Sequence, residues 1–343
     1  MSQKVSCLRF RRGSKLMLTI RPFRNEDSPK LLEIWQKNRH GPEQSRFSPL
    51  SMERLDVGPL AMPFFDRRGI QLALDGDRPV GFAQVGFGPN PGGDGLSCNI
   101  GHIPMVAVVP EFPDPVVVCE ELIKAGEAVL IDSGVREIYG GSPRPSLPFY
   151  LGLYGGAEPI GVFDADAAVI EAFRRLGYGV CQKTARFQRV LTDYSPPFIP
   201  SMLQWKSKLR LEVNDRPKAK NWWDALSLTH FDWIESTAFL EENNLPVSQI
   251  RIRMAEPEPE RSHFLYDKNW DAALMDIRVR PDFYRQGVGT YVLAETLRYV
   301  IAMNHVARIE AHIAEDCSNL YGLLKSLHWN EVETGTIFSK KIA

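Results

Sequence analysis

The chain has 343 residues, of which 44% are hydrophobic and 24% charged, and its formal net charge is −1. These values are ordinary for a soluble globular protein of about two domains. So balanced a charge argues against a nucleic-acid partner bound through bulk electrostatics, and no apolar run approaches the roughly 18 residues that a membrane-spanning helix needs. We therefore expect no nucleic-acid partner and no membrane partner.

Cysteine usage is typical of a reducing compartment. The five cysteines are scattered along the chain and never occur with C-x-x-C spacing. They indicate reduced thiols rather than a disulfide framework or a zinc site. We expect a cytoplasmic protein without a metal.

The N-terminus is basic and has no apolar core of the kind found in a secretory signal. Residues 1–16 are therefore expected to form a basic arm that contains Lys4, Arg9, Arg11, Arg12 and Lys15. The fold is predicted to begin at Met17, with a strand at 18–23. A helix follows, because Pro29 suits the first helical position and apolar side chains then recur with helical spacing as far as Trp35.

An apolar strand at 103–109 is followed by a turn and an amphipathic helix. The turn, Pro110 to Pro115, contains no glycine. Its prolines have no amide donor to offer, and Glu111 and Asp114 place negative charge at the start of the helix. This turn is not suited to binding an anion.

The remainder of the first half is less regular. Residues 143–156 form an aromatic loop that could line a pocket or simply pack as a connection. Residues 164–178 have helical spacing and end in Gly-Tyr. The best domain boundary is 194–200, where three prolines occur in a short non-periodic stretch.

In the second half, residues 274–280 predict a strand that leads into a glycine turn and a helix. Gly287 and Gly289 allow a backbone to approach a ligand closely. The helix that follows directs free N–H groups and the positive end of its dipole outward, which predicts a phosphate site. A dinucleotide fingerprint would need a small residue at Val292, and a Walker loop would need a lysine before Thr290, so neither fits. The alternative is an ordinary turn that binds nothing.

This stretch resembles motif A of the GCN5-related N-acetyltransferases (GNATs): an apolar strand, V-x-P, Q/R-x-x-G-x-G/A and a helix. One position departs from the family pattern. Three residues before Gly287 the family usually has Gln or Arg, and this chain has Tyr284, with Arg285 and Gln286 displaced into the turn.

The first half resembles the same family more weakly. Residues 20–27 look like its opening I-R-P-x-x-x-x-D, and 103–110 like the strand and proline of a second motif A. Residues 164–178 are similar to motif B, N-x-x-A-x-x-L-Y-x-x-x-G-F, but Phe173 stands at the position of the tyrosine often used as general acid. The first half therefore resembles a degenerate copy that lacks both the phosphate turn and the acid.

The resemblance implies an α/β fold with two GNAT-like domains, each a mixed, mostly antiparallel sheet flanked by helices. The expected bounds are 17–193 for the degenerate domain, 194–200 for the linker and 201–343 for the domain that binds acetyl-CoA.

The resemblance also implies that acetyl-CoA is the acyl donor, with its pyrophosphate on the amides of residues 285–290. In this family the fourth strand is bulged and its backbone contacts the pantetheine arm and the thioester oxygen. Counting back from Pro281, those amides are Ile277 and Val279. The predicted binding residues are Ile277, Arg278, Val279, Tyr284, Arg285, Gln286, Gly287, Val288, Gly289 and Thr290.

The proton transfers are harder to assign. The position of the family tyrosine falls on Leu324, which has no proton to donate. Tyr321 lies on nearly the same helical face and could replace it, or water could. Asp276 and Asp271 are candidates for the base, although an ion pair of Asp276 with Arg278 or Arg280 is the simpler role and the one we favour.

We therefore predict an N-acetyltransferase that acts on an amine of a small molecule or peptide, with the chemistry in the second half. The alternative is a non-catalytic protein on a tandem GNAT scaffold that binds acyl-CoA or a partner. A nucleotide-binding regulator does not fit, because the turn lacks both the third glycine of a dinucleotide fingerprint and the lysine of a Walker loop. The oligomeric state stays open.

Overall fold

The computed structural model describes residues 4–9, 15–38, 50–141, 150, 161–228, 231–255, 270–304 and 306–342. The strands are β1 Lys4–Arg9, β2 Lys15–Pro22, β3 Ile70–Asp75, β4 Arg78–Pro89, β5 Leu96–Val108, β6 Glu137–Gly140, β7 Val162–Phe163, β8 Gly179–Val190, β9 Leu209–Asn214, β10 Asp232–Leu240, β11 Pro246–Ala255, β12 Trp270–Val279, β13 Val306–Ala314 and β14 Asn330–Lys341. The helices are α1 Ser28–Lys37, α2 Met52–Leu55, α3 Pro115–Asp132, α4 Ala167–Arg175, α5 Pro200–Leu203, α6 Trp222–Leu228, α7 Val288–Asn304 and α8 Ser318–Ser326.

All the described strands belong to one mixed sheet. Its order is β1-β2-β3-β4-β5-β6-β14-β8-β13-β12-β11-β10-β9, and the short strand β7 pairs with β14. Only β5 with β6 and β12 with β13 are parallel. The predicted α/β class with a mostly antiparallel sheet and flanking helices is confirmed. The two halves, however, share a single continuous sheet.

The halves exchange strands at the centre of this sheet. Strand β8, from the first half, pairs with β13 of the second half, with Phe187 opposite Ala311. Strand β14, at the end of the second half, pairs with β6 of the first half, with Phe338 opposite Gly140. The two exchanged strands also pair with each other. Each half therefore completes the sheet of the other.

The hydrophobic cores follow this exchange. Phe338 of β14 is buried in the core of the first half, stacked on Phe173 with ring centroids 5.4 Å apart. Phe187 of β8 is buried in the core of the second half, with its ring against Tyr321 of α8. Burying one phenylalanine contributes about 1.5 to 3 kcal/mol, so each core depends on a strand that the other half supplies.

Each half also contains a gap where two parallel strands separate. In the second half, β12 and β13 are paired only as far as Ala273 and Glu310. Beyond these residues, Leu274–Val279 and Ala311–Ala314 run without pairing to one another. In the first half, β5 and β6 are paired only as far as Ile103 and Gly140.

The prediction of a basic arm at 1–16 was wrong for residues 4–9. These residues form an edge strand paired with β2, with Lys4 opposite Ile20 and Arg9 opposite Lys15. Edge strands commonly carry charged side chains, which discourage pairing with other chains, so a basic sequence is compatible with a strand there.

The aromatic loop at 143–156 lies outside the described residues except Tyr150. That residue is buried and stacks on Trp35 with ring centroids 6.0 Å apart.

Among the described helices, none combines the length and apolar composition needed to cross a lipid bilayer.

Candidate active site

Strand β12 has a bulge beside the gap of the second half. Asp276 and Leu274 pair with consecutive residues of β11, so Met275 between them is an extra residue. A bulge increases the local twist and redirects the backbone groups that follow it. This one comes just after Ala273, the last residue paired with β13.

The amides of Ile277 and Val279 point into the gap. Arg280 donates its amide to the carbonyl oxygen of Val247 on β11 at 2.8 Å. Because successive amides of an extended strand point to opposite edges, the amides of Val279 and Ile277 face away from β11 and toward β13. The two backbone donors expected from the sequence therefore line the gap.

The turn after β12 begins with a tight bend. Phe283 and Tyr284 donate their amides to the carbonyls of Arg280 and Pro281, at 2.9 and 3.0 Å. Arg285 and Gly287 then have positive φ angles of 59° and 85°. An arginine in the left-handed region is uncommon and costs free energy, and such residues concentrate at binding sites.

Helix α7 begins with unpaired amides. The first helical hydrogen bond runs from the amide of Tyr291 to the carbonyl of Gly287, at 2.9 Å. In the part of the chain that the structure describes, the amides of residues 285–290 make no hydrogen bond to another group. Free amides at the start of a helix, here one of 17 residues, are suited to an anion. The six residues predicted to bind phosphate all lie in this stretch, although the side chain of Val288 is buried and offers only its amide.

The corresponding turn of the first half is built differently. Phe112 donates its amide to Val109, and Val117 donates to Asp114, which has a φ of 55°. Between them, Pro113 and Pro115 have no amide hydrogen to donate. The carboxylate of Asp114 stands at the start of α3, where an anionic ligand would meet it. This turn has few donors for a phosphate.

Asp276 is part of an ion pair on the strand surface. Its carboxylate lies 2.7 Å from Nε of Arg278, two residues along and on the same face of β12. Both side chains are partly exposed. Arg278 also uses its carbonyl to accept the hydroxyl hydrogen bond of Ser248, at 2.9 Å. The simpler role considered for Asp276, an ion pair with a neighbouring arginine, is thus present in the structure.

Tyr321 is held on the far side of β13 from the gap. Its hydroxyl donates to Oε2 of Glu331 on β14 at 2.5 Å, and its ring meets Phe187 of β8 edge-on. The hydrogen bond to Glu331 raises the pKa of Tyr321, so the phenol stays protonated at neutral pH. Leu324, at the position of the family tyrosine, is fully buried in the core.

Glu310 is a candidate site residue that was not predicted from the sequence. It is the last residue of β13 paired with β12, opposite Ala273, and its side chain is 1% exposed. Gln188 donates to Oε1 at 3.0 Å, and Oε2 has no hydrogen-bond partner. Burial raises the pKa of Glu310 to about 7, against the lowering effect of nearby arginines. A carboxylate with such a pKa can accept a proton near neutral pH.

Several titratable side chains lie near Glu310 on the same face. The nearest to its carboxylate is Arg186, at 3.4 Å, while Nε2 of His312 is 4.0 Å away. The others are Arg308 on β13, Asp271 on β12 and Glu333 on β14. The signal in the sequence was the alternation of Arg308, Glu310 and His312 along a strand, which places them on one face. Nothing in it indicated that this face is buried.

The first half contributes to this face. The ring of Phe163, on β7, lies 5.8 Å from the ring of His312 and 6.0 Å from the guanidinium of Arg186. Within the described ranges, no three His, Cys, Asp or Glu side chains are placed to hold a metal ion.

Part of the second half matches the model of a known protein family. The acetyltransferase (GNAT) family model matches residues 199–327. No curated protein matches the chain.

Several solved structures have the same fold over nearly the whole chain. The glucosamine N-acetyltransferase region of a fungal multi-domain β-N-acetylglucosaminidase covers 95% of this chain, with a TM-score of 0.64 and 15% identity, although the match spans only 38% of the fungal chain. A tandem GNAT protein from the clavulanic acid biosynthesis pathway covers 94% of this chain and 98% of its own, with a TM-score of 0.62 and 13% identity. A GCN5-related N-acetyltransferase from Sphaerobacter thermophilus covers 94% and 95%, with a TM-score of 0.60 and 11% identity.

At these identities the structures show a shared fold, and the family model covers the half that carries the glycine turn. Residues 199–327 therefore form a domain of the GNAT family, and the chain as a whole shares the fold of the tandem GNAT structures.

Proposed function

We propose that this protein transfers an acetyl group from acetyl-CoA to an amine of a small molecule or peptide, and that the second half carries out the chemistry. The observation that carries the proposal is the set of free amides at 285–290, placed next to a gap into which Ile277 and Val279 direct their amides. The turn of the first half has neither glycine nor a comparable set of donors.

The residues present fit this donor. The amides at the start of α7 would hold its pyrophosphate, and the helix dipole favours the negative charge. Ile277 and Val279 would donate to the pantetheine arm and to the carbonyl oxygen of the thioester. Acetyl-CoA supplies an activated acyl group, and the protein supplies its orientation and the proton transfers.

Glu310 is the residue best suited to accept the proton of the acceptor amine. It lies where β12 and β13 separate, opposite Ala273. Its raised pKa makes it a stronger base than an exposed carboxylate. Asp276 remains a second candidate, and it would have to leave its ion pair with Arg278 to act. The leaving thiolate would take its proton from solvent or from Tyr321.

We further propose that the first half shapes the acceptor site. The contacts of Phe163 with His312 and Arg186 support this, because they bring a first-half side chain to the face on which Glu310 lies. A cytoplasmic location would supply acetyl-CoA and keep the cysteines reduced.

The test is release of coenzyme A thiol from acetyl-CoA across a panel of amines. The panel should include amino sugars, because the fungal neighbour is described as a glucosamine N-acetyltransferase, together with polyamines and peptides. We expect at least one amine to raise thiol release well above hydrolysis, and Glu310→Gln to remove most of that increase.

The second candidate function is binding of acyl-CoA without catalysis. It is favoured by the burial of Leu324 at the position of the family tyrosine. Tight binding of acetyl-CoA with no thiol release on a broad amine panel would support this alternative.

A further inference from the structure

The segment before β9 supports the phosphate turn from behind. Trp205, which is 5% exposed, donates its Nε1 hydrogen to the carbonyl oxygen of Gln286 at 2.7 Å. Gln204 donates Nε2 to the same oxygen at 3.1 Å. The ring of Trp205 also packs edge-on against Phe283, with centroids 5.9 Å apart. One carbonyl of the turn therefore accepts two side-chain donors.

Helix α5 packs against the same turn. A β-carbon added to Gly287 would lie 2.7 Å from Oγ of Ser201 and 3.0 Å from its Cβ. The positive φ of Gly287 already excludes most side chains there. The turn thus rests directly on the residues that follow the linker at 194–200.

The geometry of the peptide unit gives these contacts a consequence. The carbonyl of Gln286 and the amide of Gly287 belong to one planar trans peptide, so they point in opposite directions. Holding the carbonyl toward Trp205 and Gln204 turns the Gly287 amide away from α5. That amide is one of the free donors at the start of α7.

We propose that Trp205 and Gln204 are positioning residues that orient the phosphate turn, by holding the Gln286 carbonyl so that the Gly287 amide faces the ligand. This inference rests on the proposed function, since the ligand in question is the pyrophosphate of acetyl-CoA. The segment after the linker, which contains Gln204 and Trp205, would then set the affinity of the turn for acetyl-CoA.

The variant that tests it is Trp205→Phe, which removes the N–H donor and keeps an aromatic ring beside Phe283. Its matched control is Trp222→Phe, on α6, whose ring packs against Phe64 at 6.4 Å. By titration calorimetry with the full chain, we expect acetyl-CoA to bind Trp205→Phe roughly threefold to tenfold more weakly, the range for loss of one hydrogen bond. Trp222→Phe should bind as the parent does.

A second measurement separates orientation from general loosening. With 15N-glycine labelling, the amide resonance of Gly287 in the free protein should shift in Trp205→Phe and stay in place in Trp222→Phe. If Trp205→Phe does not fold, Gln204→Ala carries the same test, because its side chain is exposed and its loss should weaken binding about twofold.

The outcomes test the proposed function and the positioning role of Trp205 and Gln204 separately. A parent protein that does not bind acetyl-CoA would overturn both the proposed function and this inference. A parent that binds, with Trp205→Phe or Gln204→Ala binding equally well and the Gly287 resonance unmoved, would overturn this inference alone.

Discussion

Arg21 and Asp27 form a buried, two-pronged ion pair at the start of the first half. The guanidinium donates to both carboxylate oxygens, at 2.6 and 2.8 Å, and Asp27 is fully buried. The amide of Arg24 and the ammonium of Lys30 donate to the same carboxylate. Burial by itself would raise the pKa of Asp27, but these donors outweigh it and lower the pKa far below its usual range.

We predict that Asp27→Asn destabilises the protein by about 3 to 5 kcal/mol, because it leaves the buried charge of Arg21 without its partner. Urea unfolding measures the change. The control is Glu26→Gln, whose carboxylate is exposed and 3.6 Å from Arg24, and which should alter stability by no more than about 0.5 kcal/mol. A cost below about 1 kcal/mol for Asp27→Asn would show that the pair is not needed.

Glu310 should make stability depend on pH. Its pKa is raised from about 4.5 unfolded to about 7 folded, so the folded protein holds a proton that the unfolded chain releases. The stabilisation is complete below pH 4.5 and is lost as the pH rises through 7, a change on the order of 3 kcal/mol. Unfolding titrations at pH 5 and pH 8 measure it.

In Glu310→Gln this part of the pH dependence should disappear, while Glu241→Gln, an exposed control, should retain it. Equal pH dependence in the parent and Glu310→Gln would contradict the raised pKa. If Glu310 is also the base, the turnover of the parent should rise with pH through about 7, and Glu310→Gln should lose that rise.

The glycine turn should bind one acetyl-CoA per chain. Gly287→Asp combined with Gly289→Asp should abolish binding, since it adds negative charge among the free amides and a β-carbon against Ser201. The control in the first half is Asp114→Asn, at the corresponding helix start, which should bind as the parent does. Two equivalent sites by calorimetry, or binding retained by the double variant, would contradict the assignment.

Tyr321→Phe should change turnover by less than about twofold, because its hydroxyl is engaged with Glu331 and faces away from the gap. The acetyl-CoA KM should not change. If Tyr321 is instead the acid that protonates the leaving thiolate, kcat should fall by ~10²–10⁴-fold. Steady-state kinetics with any accepted amine decides between Tyr321 and solvent.

The two halves should not fold separately. A fragment of residues 200–343 lacks β8, so β14 has no strand through which to join β13. We expect that fragment to be insoluble or to lack near-ultraviolet circular dichroism. Cutting the intact protein at an engineered protease site within 194–200 should leave both pieces associated, because the exchanged strands stay paired. A cooperative melt of the isolated fragment would refute this.

Local sequence determined the parts of the site that depend on neighbouring residues. Gly287 and Gly289 after a strand and a proline define the donor-rich turn, and the prolines between 110 and 115 remove the donors of its counterpart. The pair Arg21 and Asp27 lies within the opening that resembles the family. Such features follow from the backbone freedom of glycine and proline and from contacts a few residues apart.

Tertiary structure alone decided which strands meet. Strands β8 and β14 have the same length of 12 residues, and nothing in either sequence shows that each joins the sheet of the other half. Their exchange depends on pairings between residues more than a hundred positions apart, which no local pattern records. The same holds for Trp205 and Gln286, 81 residues apart, and for the burial of Glu310. Its strand alternation is visible in the sequence, but burial depends on the elements that cover the strand, and these come from distant parts of the chain.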